Sequence, residues 1–373
     1  MAAPVVIVTG PAKGLVGGQS RHLDVLEAVA GRLNYRFVRI EIGRRAGESG
    51  LLLPWRLLGD YARFFAALHR EIKAGASVMV HINSSVQYAS LVRDFGFALI
   101  ARLLRPSSQL VQIHGSELCD AQDRKPVLRA LARLVSIVAG RLVVLSAVQA
   151  RAIGGAALAG TVIPNAVEVR DQVDRVGAGR GPLRVLYLAR MIPEKGVLIC
   201  LDAISLLRDR GIRVELSLAG DGPLLDCLPL KIAELGLGDQ VSVIGPVPAA
   251  DVRPLLAAHD LLWAPSRYAE GQPYSLIEAL EAGVPVLATA ANPAMKEMIE
   301  SGEGALIGVS AAAPDLAAAT ASIVEAPDEL VHLRKVARSV AERRYSLDAA
   351  VPHWRTAWSV EPRHSAQLGA PAV

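Results

Sequence analysis

Short runs of Val, Leu and Ile alternate along the chain with longer stretches in which apolar residues recur every three or four positions. The short runs read as buried strands and the longer stretches as amphipathic helices. In the first half, strands are expected at Pro4–Thr9, Arg36–Ile42, Ser77–Ile82, Gln109–Ile113, Leu142–Leu145 and Thr161–Ile163. Helical spacing covers Ser20–Leu33, Leu51–Lys73 and Phe95–Leu104. Glu168–Pro182 is polar and carries Gly177, Gly179 and Gly181, the texture of a linker. The alternation restarts with strands at Leu183–Ala189, Arg213–Leu218, Val241–Ile244, Leu261–Ala264, Val284–Ala288 and Ala305–Ile307. From Ala311 the pattern is helical, and the last helix, 347–360, carries Trp354 and Trp358. Strands alternating with helices argue for βαβ units and parallel sheets, so the fold class is α/β. One domain is expected over 1–165 and a second over 166–346, with a disordered tail at 361–373.

Composition narrows this picture. A length of 373 residues fits two domains. Hydrophobic residues make up 52% and aromatics only 4%, which suits parallel sheets covered on both faces. Cys119, Cys200 and Cys227 are odd in number and widely spaced. They read as small buried hydrophobes of a reducing cytosol, not as a disulfide framework or a zinc site. The N-terminus lacks the pattern of a signal peptide. Leu131–Val148, the longest apolar candidate for a membrane span, is interrupted by Arg133, Gly140 and Arg141.

Charge divides the halves. Residues 1–165 hold 20 Lys+Arg and 10 Asp+Glu, hence +10; the remainder holds 20 and 26, hence −6. A basic first half suits an anionic acceptor or an anionic membrane surface, or is simply a solvated face. Within it, Leu51–Lys73 sets Trp55, Tyr61, Phe64 and Phe65 beside Arg56, Arg63, Arg70 and Lys73. A core-facing helix is the expected reading, with peripheral contact on the inner face of the cytoplasmic membrane as the alternative. Nucleic acid is not an expected partner, because interleaved aromatics and a binding motif are missing.

Candidate chemistry collects at strand ends, where open α/β sheets bind ligands. Tyr268–Thr289 carries Glu270 and Glu278 eight residues apart, on a loop that feeds a helix N-terminus suited to phosphate. Ser275 and Glu278 also read as a capping box. Arg190 and Lys195 follow the first strand of the second half. Gly220-Asp221-Gly222 follows the next strand, with Leu225 where a dinucleotide fingerprint needs glycine, and Asp221 reads as a turn former. In the first half, Gly17-Gly18 reads as a plain turn. His114-Gly115-Ser116-Glu117 ends a strand and points His114 at a crevice, with Glu117 read as a structural hydrogen-bond partner.

In this order and spacing the motifs resemble the GT-B glycosyltransferases of family 4, which are retaining enzymes. The residues that carry the likeness are Gly17-Gly18, His114-Gly115, Ile163-Pro164-Asn165, Arg190, Pro193-Glu194-Lys195-Gly196, Gly220-Asp221-Gly222-Pro223 and Glu270-Gly271 through Glu278-Ala279. The resemblance implies two Rossmann-like domains facing across a cleft, with helix 347–360 packed back on the first. It implies transfer of a hexose from a nucleotide-diphosphate sugar, UDP before GDP, to a lipid-linked or saccharide acceptor of bacterial surface polysaccharide or glycolipid. Arg190 and Lys195 would hold the diphosphate, helped by backbone N–H groups around Gly271, Pro273, Tyr274 and Ser275. Glu278 would take the ribose, Glu270 the donor sugar, and His114 the same sugar from the opposite domain. Gly17-Gly18 would approach the phosphates or the acceptor. No cofactor is implied, and no metal, since the sequence has no Asp-x-Asp. Ala189 and Asn292-Pro293-Ala294-Met295 depart from the family pattern, which leaves the donor open. A nucleotide-sugar epimerase, an inverting transferase and a silent nucleotide-sugar-binding protein are the alternatives.

Overall fold

The computed structural model describes residues 3–13, 17–43, 53–119, 125–154, 160–171 and 181–359. Most of the expected linker and the expected tail lie outside them. Two parallel six-stranded sheets form the frame. The first contains β1 (Val5–Gly10), β2 (Arg36–Glu41), β3 (Val78–Ser85), β4 (Ser108–His114), β5 (Leu142–Val144) and β6 (Gly160–Val162). Its helices are α1 (Gly18–Arg32), α2 (Leu53–Lys73), α3 (Tyr88–Leu104), α4 (Pro126–Ala139) and α5 (Ala147–Gly154). The second contains β7 (Leu183–Leu188), β8 (Val214–Ala219), β9 (Val241–Gly245), β10 (Leu261–Ala264), β11 (Val286–Thr289) and β12 (Leu306–Val309). With it go α6 (Val197–Asp209), α7 (Leu228–Glu234), α8 (Ala249–Ala257), α9 (Tyr274–Glu281), α10 (Pro293–Glu300), α11 (Ala313–Glu325) and α12 (Pro327–Val340). The last helix is α13 (Leu347–Trp358).

Strand order is β2-β1-β3-β4-β5-β6 in the first sheet and β12-β11-β10-β7-β8-β9 in the second. Each order reverses once, between β1 and β3 and between β7 and β10. At such a point neighbouring loops diverge and leave a crevice at the strands' carboxyl ends. The strands are apolar on both sides because helices cover both faces: Val5 and Ile7 pack with α2–α5, while Val6 and Val8 pack with α1 and α13.

The first domain differs on its two faces. On α2, Phe64 and Leu68 are buried in the core while Trp55, Leu58 and Phe65 point outward. The helix is therefore core-facing on one side and apolar on the other as well. On the opposite face, α13 lies against α1, with Trp354 and Trp358 buried and Tyr35 stacked on Trp358 at 6.0 Å. Arg141 fastens the end of α13 through the carbonyls of Ala357 and Ser359 at 3.1 and 2.9 Å.

The chain thus crosses between domains twice. The crossings run side by side: the Val167 amide donates to the Tyr345 carbonyl at 2.7 Å, and the Leu347 amide to the Val167 carbonyl at 3.0 Å. Ser346 then starts α13 by accepting from the Ala349 amide at 3.0 Å. Among the described residues, no helix is long and apolar enough to cross a membrane.

Candidate active site

A cavity of about 550 Å³ opens between the carboxyl edges of the two sheets. The second domain supplies Arg190 and Lys195 after β7 and Glu270 through Leu276 after β10. These are the two strands that flank its switch point. The first domain supplies Gly18, Gln19, His114, Gly115, Glu117 and Asn165. The structure therefore brings His114, Arg190, Lys195, Glu270, Gly271, Pro273, Tyr274, Ser275 and Gly18 to one space.

Two expected residues stand elsewhere. Gly17 is the N-cap of α1, and its φ of 153° suits glycine, but it does not line the cavity. Glu278 lines a separate pocket of about 220 Å³ with Arg21, Arg170, Arg253 and Glu281. Its carboxylate pairs with Arg21 of α1, 3.2 Å away. Burial raises its pKa and Arg21 opposes that rise. The capping box is not formed: the N-cap of α9 is Pro273, at φ −66° and ψ 132°, and no side chain caps the helix. Ser275 is consequently inside the helix, two positions past the N-cap. The first-turn N–H groups of α9 meet the cavity uncapped.

The cations of the second wall are held differently. Lys195 Nζ lies 2.6 Å from Glu270 Oε1 and 5.1 Å from the Tyr268 ring centroid. The Arg190 guanidinium has no ionic or hydrogen-bond partner among the described residues. Its loop is shaped by the glycine turn after β8. The Met191 amide donates to the Asp221 carbonyl at 2.8 Å, and the Asp221 carboxylate accepts from the Gly222 amide at 2.8 Å. A Cβ on Gly220 would stand 1.9 Å from the Ala189 carbonyl oxygen, so that close approach requires glycine.

The loop bearing Glu270 is docked onto the first domain. Asn165 donates its side-chain amide to the Gln272 carbonyl at 2.8 Å, and its backbone amide to Gln272 Oε1 at 2.5 Å. A Cβ on Gly271 would meet Gln149 Nε2 at 3.1 Å. From below, Asn292 Nδ2 donates to the Glu270 carbonyl at 3.0 Å, while Asn292 Oδ1 caps α10 by accepting from Ala294 and Met295. The departure at Asn292-Pro293 is thus an N-cap with proline at the first helical position, and it doubles as a strut for the loop. Glu297 of α10 reaches across the cleft and accepts from the Ala147 and Val148 amides at the start of α5, both at 2.9 Å.

The first wall rests on three histidines, His22 and His81 buried and His114 half-buried. His114 donates through Nε2 to Asn83 Oδ1, and its ring meets His22 edge-on at 4.6 Å. His22 bonds Gln112 at 2.7 Å and the Tyr274 hydroxyl of the second domain at 3.1 Å. His81 shares the Gln112 oxygen at 3.1 Å and stacks on Trp354 at 5.1 Å. Burial keeps all three neutral: it lowers His22 to about 4, His81 to about 3, and His114 well below its ordinary value. His114 is therefore a hydrogen-bonding group and not a cation.

Glu117, read from sequence as a structural partner, has one buried carboxylate oxygen without a hydrogen bond among the described residues. That oxygen stands 2.3 Å from where a Cβ of Gly115 would be, so the carboxylate folds over the glycine at the cavity edge. Burial raises its pKa. Arg21, Asn83, Gln149, Gln272 and Glu297 were not singled out from the sequence. Asn292 stood out only as a departure from the family pattern, and its Asn-Pro pair is the local signal of a helix start.

Comparison with known proteins completes the assignment. Of solved structures, the Anabaena HepE complex with UDP and glucose aligns with a TM-score of 0.71 over 95% of this chain and 99% of that one, at 18% identity. The fold is GT-B. Residues 169–340 match the family model for glycosyl transferases group 1. Curated relatives include the alpha-D-kanosaminyltransferase of Streptomyces kanamyceticus, 28% identical over 177 residues (48% of this chain, 45% of the relative). Another is the GDP-mannose-dependent alpha-(1-6)-phosphatidylinositol monomannoside mannosyltransferase of Mycolicibacterium smegmatis, 29% identical over 190 residues (49% and 47%). The chain spans about half the length of these relatives. The similarity to group 1 glycosyl transferases thus lies in the second half of the chain.

Proposed function

We propose that the protein transfers a sugar from a nucleotide-diphosphate donor to a hydroxyl of a lipid-linked or saccharide acceptor, with retention at the anomeric carbon. The observation that carries this reading is the convergence, at one switch point, of Arg190, the Lys195–Glu270 pair and the uncapped start of α9. A diphosphate offers the negative charge these groups lack. On its arrival Lys195 exchanges Glu270 for phosphate, and Glu270 is freed to accept from hydroxyls of the sugar. Arg190, Lys195 and the helix start then stabilise the charge that develops as the sugar–phosphate bond breaks. Neutral His114 holds the sugar from the first domain. The leaving phosphate takes the acceptor's proton as the hydroxyl attacks from the same face.

UDP is the first choice of nucleotide, and the HepE complex with UDP and glucose supports it. The GDP-mannose-dependent relative keeps GDP second. The acceptor enters from the first domain, whose +10 charge favours an anionic membrane as its setting. Thermal unfolding with UDP-, GDP-, ADP- and dTDP-sugars identifies the donor, because a ligand specific for the folded state raises Tm. Stabilisation by none of them sinks the reading. An inverted linkage in the product, read by NMR, removes the retaining step alone.

A further inference from the structure

Ten of the fifteen large apolar side chains exposed among the described residues lie on α2, α3 and α4. Trp55 is 75% exposed and Leu103 72%. Phe65, Leu99, Leu134 and Ile137 are others on the same layer. All three helices cover one face of the first sheet, and α3 and α4 are joined by a 3.5 Å bond from Arg102 to the Val138 carbonyl.

The charges of this layer are sorted by depth. The three helices carry eight Lys and Arg and three Asp and Glu. All three carboxylates are buried: Asp60 pairs with Arg63, Glu71 with Arg36, and Asp94 with Arg93. Arg63, Arg70, Lys73, Arg102 and Arg133 are exposed. The outer surface of the three helices therefore offers apolar groups and cations with no exposed carboxylate.

We infer that this face seats the protein on an anionic lipid surface. Apolar side chains enter the headgroup boundary while Lys and Arg meet lipid phosphates. A second copy is a poor occupant, since it would set the same cations against one another. Orientation follows from the fold. In a parallel α/β unit the helices run opposite to the strands, so their N-termini share the edge that carries the cavity. Tyr88 begins α3 three residues after β3 ends, and Trp55 and Val127 lie in the first turns of α2 and α4. Docking by this face sets the rim of the cleft at the lipid boundary. A lipid-borne acceptor then reaches the cavity without leaving the bilayer, a consequence that rests on the glycosyl-transfer reading.

The test uses phosphatidylcholine vesicles with and without phosphatidylglycerol. Sedimentation should show at least about tenfold stronger binding to the anionic vesicles, weakening as salt rises. Of four tryptophans, Trp263, Trp354 and Trp358 are 1% exposed, so a blue shift of emission on binding reports Trp55. Pairing Leu103→Ser with Ile137→Ser, or Arg102→Glu with Arg133→Glu, should lower vesicle binding at least about tenfold and leave nucleotide stabilisation unchanged. Equal binding to both vesicle types, no binding at low salt, or unaffected variants overturn the inference. So does a dimer of the wild type that these substitutions dissociate. Vesicle binding without stabilisation by any nucleotide sugar leaves the surface standing and removes the transferase reading. Nucleotide stabilisation without vesicle binding does the reverse.

Discussion

The two walls of the cleft are built on opposite principles. The second wall is charged and only partly settled. Among the described residues the Arg190 guanidinium is unpartnered, Lys195 is held by Glu270, and the start of α9 is uncapped. The first wall is built on three uncharged histidines bonded to Asn83, Gln112 and Tyr274 above a floor of tryptophans. One wall keeps charges in reserve for a ligand. The other spends its polar groups on holding shape. Changes in the first wall should therefore register in stability, and changes in the second in binding.

Trp354→Ala tests that division hardest. The side chain is buried beneath His81 and His22, and its loss should cost roughly 3–5 kcal/mol in urea unfolding. Nucleotide affinity of the folded fraction should not change. Acidification comes next. In the unfolded chain histidines protonate near their ordinary value, whereas in the fold His22 waits until about 4 and His81 until about 3. The unfolded state then binds more protons, so stability falls as pH drops from about 6.5 toward 4, by up to roughly 3 kcal/mol per histidine. His22→Gln with His81→Gln should flatten that slope. A slope unchanged by the pair would place the acid sensitivity elsewhere.

On the second wall, Lys195→Ala should weaken nucleotide-diphosphate binding about 100-fold by calorimetry, because it removes a cation and leaves Glu270 unpaired beside phosphate. Its Tm without ligand should move little. Asn292→Ala is the smallest change and the one that blurs the division. Loss of the α10 cap should cost about 1 kcal/mol, and the unsupported Glu270 carbonyl should loosen the loop, lowering donor affinity a fewfold. If donor affinity is untouched, the strut is ornamental to binding.

These contacts also mark what a sequence makes readable. Strands such as Val5–Gly10 and Leu261–Ala264 stood out because burial on both faces leaves an uninterrupted apolar run. Arg190, Lys195 and Glu270 stood out because strand ends are where an α/β sheet meets its ligand. Helix α4 had local punctuation, Pro126 at its start and Gly140 at φ 78° at its end, yet its apolar run resembled a broken membrane span. The capping box was misplaced for a local reason. Local spacing does not say which residue of Pro273-Tyr274-Ser275 begins the helix, and that choice sets where each side chain points. Arg21 and Glu297 act across the cleft and Gln149 bonds the Gly115 carbonyl within the first domain, at sequence separations that no local pattern encodes.

The paired crossings at Val167 and Ser346 have one more consequence. The chain leaves the first domain and returns to it at hydrogen-bonded neighbours, so the whole second domain is topologically an insert with its ends already together. Such a unit can be exchanged for another of the same kind through two adjacent splice points, leaving the first domain and its closing helix α13 undisturbed. Diversification of the second domain over a fixed first domain requires nothing more than that pair of joints.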